Sequence, residues 1–234
     1  CAFCASISQY NADYVAGEYG AEFAVKIHIV HCGIDPEPEP LEFSTLDEGA
    51  PVRLLGVGQL NPRKGFHVLI EACGKLRERG VDFQCTIVGG GDQREELERM
   101  VDERSLREWV TLTGPVKHEV VEQQIANCDI FVLPCVISED GWRDGIPVAL
   151  MEAMFHRRTV VSSRILGIPE LIEDGVSGRL AEAGDADSVA DVIAELAGAP
   201  EERARLAASG REKVLAEFNN AKSAETLAGM FGAS

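Results

Sequence analysis

The chain has 234 residues, 45% of them hydrophobic, enough for one large packed domain and a fragment of another. Its 39 acidic residues outnumber 22 basic ones, and a surface carrying a formal net charge of -17 repels nucleic acid and anionic membranes. There is no basic stretch leading into a long apolar one and no run of eighteen apolar residues, so neither a signal peptide nor a transmembrane segment is predicted, and a cytoplasmic protein is expected.

The chain opens on Cys1 instead of Met, with an apolar stretch that has no earlier strand to pair with, and it reads as a piece of a longer protein. Residues 1–43 divide into a strand from Ala2 to Ser8, a helix from Gln9 to Tyr19 and a strand from Lys26 to His31. The run Pro36-Glu37-Pro38-Glu39-Pro40 then forms an extended connector. Seven cysteines without a secretory signal are expected as reduced thiols. Cys1 and Cys4 match a C-x-x-C pair, but no second pair follows, and on a strand they point to opposite faces; His28 and His31 are separated in the same way.

From Val52 short apolar runs alternate with amphipathic stretches. Strands are predicted at 52–58, 83–88, 109–113, 129–133 and 159–162, and helices at 65–79, 92–103, 117–127, 147–156 and 168–173. This alternation predicts a parallel sheet covered by helices on both faces, a Rossmann-like α/β domain over 44–217, with ligands at the carboxyl ends of its strands. The loops after Val57, Val88 and Leu133 all lie at such ends. Helices at 186–197, 201–217 and 220–231 complete the chain, the last within a separate carboxyl-terminal segment, 218–234.

The first strand-end loop runs Gly56-Val57-Gly58-Gln59-Leu60-Asn61-Pro62-Arg63-Lys64-Gly65. Asn61 stands where a dinucleotide fingerprint needs its third glycine, and Gly65 where a P-loop needs Ser or Thr, so neither motif is present. A nicotinamide-dependent dehydrogenase is therefore a weak reading. Adjacent Arg63 and Lys64 stand out in so acidic a chain, either as phosphate ligands or as solvated charges. Gly89-Gly90-Gly91 follows the second strand, where it either approaches a nucleotide base or simply turns the chain. Gly114-Pro115-Val116 begins a further strand-end loop.

The most informative stretch is Asp144-Gly145-Ile146-Pro147-Val148-Ala149-Leu150-Met151-Glu152. Gly145 lets backbone approach a ligand, Pro147 suits a first helical position, and the helix start offers unpaired N–H groups to an anion. Glu152 lies about 7.5 Å along the axis from Pro147, and its side chain tilts back toward the same ligand. Asp140, Trp142 and Arg143 precede this stretch and either shape a pocket or pack the loop. Asp185-Ala186-Asp187 imitates a metal-binding pair but is expected to cap the helix after it, and Glu170 of Gly167-Ile168-Pro169-Glu170 is expected to act as a first-turn acid.

These motifs resemble family 4 of the retaining glycosyltransferases, specifically the carboxyl-terminal, donor-binding half of a GT-B fold. The resemblance covers about residues 6–231. It implies that Asp144 and Glu152 stand for the family's Glu-x7-Glu pair, the first acid on the donor sugar and the second on the ribose. Lys64 matches the family's diphosphate-binding Lys; Gln59 replaces its Arg, with Arg63 adjacent. Gly58, Gly89, Gly91, Gly145, Ile146, Pro147 and Val148 fall on donor-contacting backbone, and residues 1–43 match the tail of the acceptor domain. The implied activity is transfer of a sugar from a nucleoside diphosphate sugar to an acceptor hydroxyl, with no cofactor and no metal, the carbohydrate or lipid-linked acceptor being held by the rest of the amino-terminal domain. The alternative is a sugar-nucleotide-binding module without activity of its own.

Overall fold

The computed structural model describes residues 3–36, 49–138 and 145–232. Cys1, the connector beyond Pro36 and residues 139–144 lie outside them. Within the described residues a short parallel pair, β1 (Cys4–Ser6) and β2 (Ile27–Ile29), carries α1 (Gln9–Tyr19) and α2 (Ala21–Ala24) between its strands. Ser8 starts α1 as a side-chain cap, its Oγ accepting the Asn11 N–H at 3.1 Å.

The main body is a parallel sheet of β3 (Val52–Val57), β4 (Phe83–Val88), β5 (Val110–Gly114), β6 (Ile130–Leu133), β7 (Thr159–Ser163) and β8 (Arg179–Ala181). Its spatial order is β5-β4-β3-β6-β7-β8. Counted along this domain, the first strand lies between the second and the fourth, the order of a doubly wound dinucleotide-type sheet with its switch point between β3 and β6. Every residue of β6 and β7 is buried, as strands covered on both faces must be. The expected α/β class and Rossmann-like architecture are present.

Arg53 and Asp129 fix the register at the switch point. The Asp129 carboxylate accepts the Arg53 backbone N–H at 2.8 Å and its guanidinium N–H groups at 2.9 and 3.0 Å, while the Asp129 N–H returns to the Arg53 carbonyl at 2.8 Å. Asp129 is largely buried, so the charge-assisted, forked contact works at reduced dielectric, and it holds the Arg53 guanidinium above its ordinary pKa.

The covering helices are α3 (Phe66–Glu78), α4 (Arg94–Glu103), α5 (His118–Asn127), α6 (Val148–Phe155), α7 (Ile168–Leu171), α8 (Ala186–Ala197) and α9 (Pro200–Glu217). In α3 the apolar positions Phe66, Leu69, Ile70, Cys73 and Leu76 recur at helical spacing and are fully buried. On its outer edge Lys75 pairs with Asp187 at 2.8 Å and Arg79 with Asp191 at 2.6 Å, joining α3 to α8. The chain ends in α10 (Asn220–Gly232), which buries no side chain. Its start is nevertheless anchored: Phe218 is fully buried, the Ile34 N–H donates to the Phe218 carbonyl at 2.9 Å, and the Asn220 N–H donates to the Ile34 carbonyl at 3.0 Å. At its far end the exposed Phe231 meets Phe3 edge-on at 5.2 Å.

Three local differences from the sequence reading have plain causes. β8 was not expected, because three residues between polar flanks carry no usable alternation. The helix after Lys64 begins only at Phe66, preceded by a 3-10 turn at Pro62–Lys64, because Gly65 takes a left-handed conformation with φ 69°. Pro147 caps α6 in extended geometry, φ -68° and ψ 124°, instead of occupying its first helical position.

Cys73, Cys85, Cys128 and Cys135 are buried, whereas Cys4 and Cys32 are exposed. Burial pushes the Cys128 thiol up to about 12. Alkylation of the native chain followed by peptide mass mapping should label Cys4 and Cys32 and leave these four unmodified until the chain is unfolded.

Candidate active site at the sheet switch point

The loops after β3, β4 and β6 meet backbone to backbone. A Cβ on Gly89 would lie 1.8 Å from the Gly58 carbonyl oxygen, and one on Gly91 would lie 2.3 Å from that of Leu60. The Gly58 N–H donates to the Val88 carbonyl at 3.0 Å, Leu60 to Gly90 at 2.9 Å and Gly89 to Gly114 at 3.1 Å, so the ladder of β3, β4 and β5 continues into their loops. On the other side of β3, a Cβ on Gly65 would lie 1.8 Å from the Pro134 carbonyl oxygen, and the Val136 N–H donates to the Arg63 carbonyl at 2.9 Å. The strand-end loops named from sequence therefore converge, and glycine is what lets them touch.

Between the β3, β4 and β5 loops lies a cavity of ≈ 200 Å³. Gly58, Gly89 and Gly90 form its backbone floor, and Val57, Val88, Pro115, Val116 and Val121 its apolar walls. Gln59 supplies the polar side chain in this lining, and its Oε1 accepts from Asn61 Nδ2 at 3.3 Å. Asn61 is itself buried, and its Oδ1 has no hydrogen-bond partner among the described residues. Such a slot, with flat apolar walls and exposed peptide groups, suits a planar heterocycle. The Lys64 methylenes run past Gly58, 3.6 Å from where a Cβ there would sit, which brings the ammonium stem alongside the cavity floor.

Across the switch point, α6 begins after Pro147 and carries Glu152 one turn in, half-buried. Desolvation raises the Glu152 carboxyl above its ordinary pKa; His118 on α5 opposes that shift and Glu122 adds to it. Among the described residues none hydrogen-bonds this half-buried carboxylate, and the charges that act on it, His118 and Glu122, both come from α5. One turn further, burial lowers the pKa of His156. His118, which lies 3.6 Å from Glu122, and Glu122 thus act on both Glu152 and His156, a grouping that the sequence reading did not assemble. The available signal was the placement of the start of α5 directly after a strand end; that signal also reaches Val121.

The remaining expectations sort cleanly. Asp144, with Asp140, Trp142 and Arg143, lies outside the described residues. Gly145, Ile146 and Pro147 lead into α6, which begins at Val148, one residue later than expected. Asp185 caps α8 by accepting the Asp187 and Ser188 N–H groups at 2.9 and 3.1 Å. Among the described residues no three His, Cys, Asp or Glu side chains gather as a metal site. His28 packs edge-on against Phe3, while His31 stacks on Phe218 with ring centroids 4.5 Å apart. Glu170 is a first-turn acid of α7, as expected, and it also serves the start of α1: Gln9 and Tyr10 donate their backbone N–H groups to its two oxygens at 2.8 and 2.9 Å.

Residues 40–213 match the model of the glycosyl transferases group 1 family. The chain belongs to that family. Among curated glycosyl transferases it is 40% identical over 197 residues to the amylovoran biosynthesis glycosyltransferase AmsK of Erwinia amylovora, covering 84% of this chain and 48% of AmsK. It is 29% identical over 235 residues to a GDP-mannose-dependent α-(1-6)-phosphatidylinositol monomannoside mannosyltransferase of Mycolicibacterium smegmatis, covering 95% and 61%. The structure of Anabaena Alr3699/HepE in complex with UDP superposes with a TM-score of 0.86 at 19% identity, over 100% of this chain and 64% of that one. The chain spans about half the length of the first curated relatives it matches. No described helix is long and apolar enough to cross a membrane.

Gly65→Ala should cost about 2–4 kcal/mol, combining a left-handed backbone with overpacking against Pro134, as a lowered denaturant midpoint would show. Glu152 yields a second test. A folded-state pKa above the ordinary 4.5 means that the folded chain binds this proton more tightly than the unfolded one, so ionised Glu152 destabilises the fold at neutral pH. Glu152→Gln should raise the thermal midpoint at pH 7, and the gain should disappear as pH falls below the ordinary carboxylate range.

Proposed function

We propose that the chain is the donor-binding half of a retaining glycosyltransferase that moves a sugar from a nucleoside diphosphate sugar to an acceptor hydroxyl. The observation that supports this reading is the glycine-floored cavity at the ends of β3, β4 and β5, with the Lys64 stem running past Gly58. The cavity takes the base, and Glu152, an acceptor left without a described partner, takes the ribose hydroxyls. Asp144, eight positions before it in sequence, takes the sugar hydroxyls. Lys64, Arg63 and the N–H groups at the start of α6 face the diphosphate.

As the bond from the sugar to the diphosphate breaks, negative charge gathers on the leaving oxygen, and fixed cations and N–H donors aimed there lower the barrier. Lys64 and Arg63 can do this without a metal ion or a cofactor. With Gln59 where the family carries Arg, a neutral amide and the neighbouring Arg63 share the task. The UDP bound to HepE and the GDP-mannose dependence of the mycobacterial relative both support a nucleoside diphosphate donor without choosing the base. The acceptor, a carbohydrate or a lipid-linked sugar, is assigned to the remainder of an amino-terminal domain.

Calorimetric titration with UDP, GDP and ADP, followed by an assay of donor hydrolysis, tests the reading. One of the three should bind saturably; binding without turnover would favour the binding module, and no binding by any of them would overturn both. Glu152→Ala should abolish that binding with the fold intact. Lys64→Ala should weaken the diphosphate about tenfold, as loss of one charge-assisted contact does, and leave the nucleoside unchanged. Equal losses for both ligands would show that Lys64 does not face phosphate.

A further inference from the structure

Glu170 joins two parts of the chain that are 160 positions apart in sequence. Its Oε2 accepts the Gln9 N–H at 2.8 Å and lies 3.4 Å from His31 Nε2, while its Oε1 accepts the Tyr10 N–H at 2.9 Å. His31 is held in turn by Ser223, whose hydroxyl donates to the His31 carbonyl at 2.8 Å, and by its stack on Phe218. The first residues of a helix have no intrahelical acceptor for their N–H groups. Glu170 and the Ser8 cap therefore satisfy the opening turn of α1 between them, one of the two from across the structure.

The junction before α1 lies against the turn that leads into α6. A Cβ on Gly145 would sit 3.2 Å from Ile7 Cδ1, and one on Gly167 would sit 3.2 Å from Ser8 Cβ and 2.9 Å from Ile146 Cγ1. Ile7 thus lies against Gly145 and Ser8 against Gly167, which packs in turn on Ile146, and the Glu170 carboxylate holds the two residues that follow them. We infer that Glu170 is a positioning residue: by clamping the start of α1 it presses Ile7 and Ser8 onto the Gly145–Pro147 turn and so sets where the N–H groups of α6 meet the donor. This inference rests on the donor reading above. A carboxylate that merely completed a helix start would have no effect on ligand.

The test compares Glu170→Ala and the isosteric Glu170→Gln with the unaltered chain, by two readouts. Amide exchange at Gln9 and Tyr10 should be slow in the unaltered chain, about tenfold faster in the Ala variant and intermediate in the Gln variant, which keeps one acceptor oxygen. Affinity is then measured for whichever of UDP-glucose and GDP-mannose the unaltered chain binds, and for the matching nucleoside monophosphate. The Ala variant should bind the nucleotide sugar about tenfold more weakly and the monophosphate unchanged, with partial rescue by Gln. Unchanged exchange in the Ala variant overturns the clamp. Faster exchange with undiminished nucleotide-sugar affinity, or equal loss for both ligands, overturns the positioning role. Failure of the unaltered chain to bind either nucleotide sugar overturns the donor reading and the positioning role with it, while the exchange result still decides the clamp.

Discussion

Peptide groups pressed onto one another at Gly65 and Gly89 set the distance between the loops that build the crevice. At both positions a side chain would collide with a neighbouring carbonyl oxygen, so the gap between the β3 loop and its neighbours on either side is fixed by backbone. The arrangement depends on strand register below it, which the partly buried Arg53–Asp129 fork holds at the switch point. Register brings the strand ends level, glycine lets the loops close, and the space left over is the cavity beside Gly58. Each step is local chemistry, and each is needed before any side chain can act on a ligand.

The charge distribution adds the second constraint. In a chain with 39 acidic residues, Arg63 and Lys64 stand immediately before the glycine that seats the loop on Pro134. Their backbone is fixed by the 3-10 turn and by the bond from Val136, and the Lys64 stem runs past Gly58 at the cavity floor. On α6, Glu152 sits in a partly dehydrated setting that costs folding stability when it is ionised.

Much of this was legible in the sequence, because β3, β4, β6 and β7 carry short apolar runs of a length and spacing that only a covered parallel sheet accommodates. α1 and α8 were read to the residue, since Ser8 and Asp185 are strong caps before periodic helices. What escaped was non-local. Nothing in Gly167-Ile168-Pro169-Glu170 announces that its acid reaches Gln9 and Tyr10, and nothing in α5 announces that His118 and Glu122 face Glu152, since those contacts exist only once the sheet has ordered the loops. Pro147 was placed one position too deep because proline tolerates the first helical position and the cap almost equally well. Asp144, the other acid of the pair that resembles the family's Glu-x7-Glu, falls outside the described residues.

The most direct test of the central claim is amide chemical-shift mapping of the isotopically labelled chain during titration with a nucleoside diphosphate. Saturable shifts should appear at Gly58, Gly89 and Gly90, then at Gly65 and the first residues of α6, with β8 and α9 unmoved. Saturable binding that shifts amides elsewhere and leaves those glycines unchanged would contradict the account.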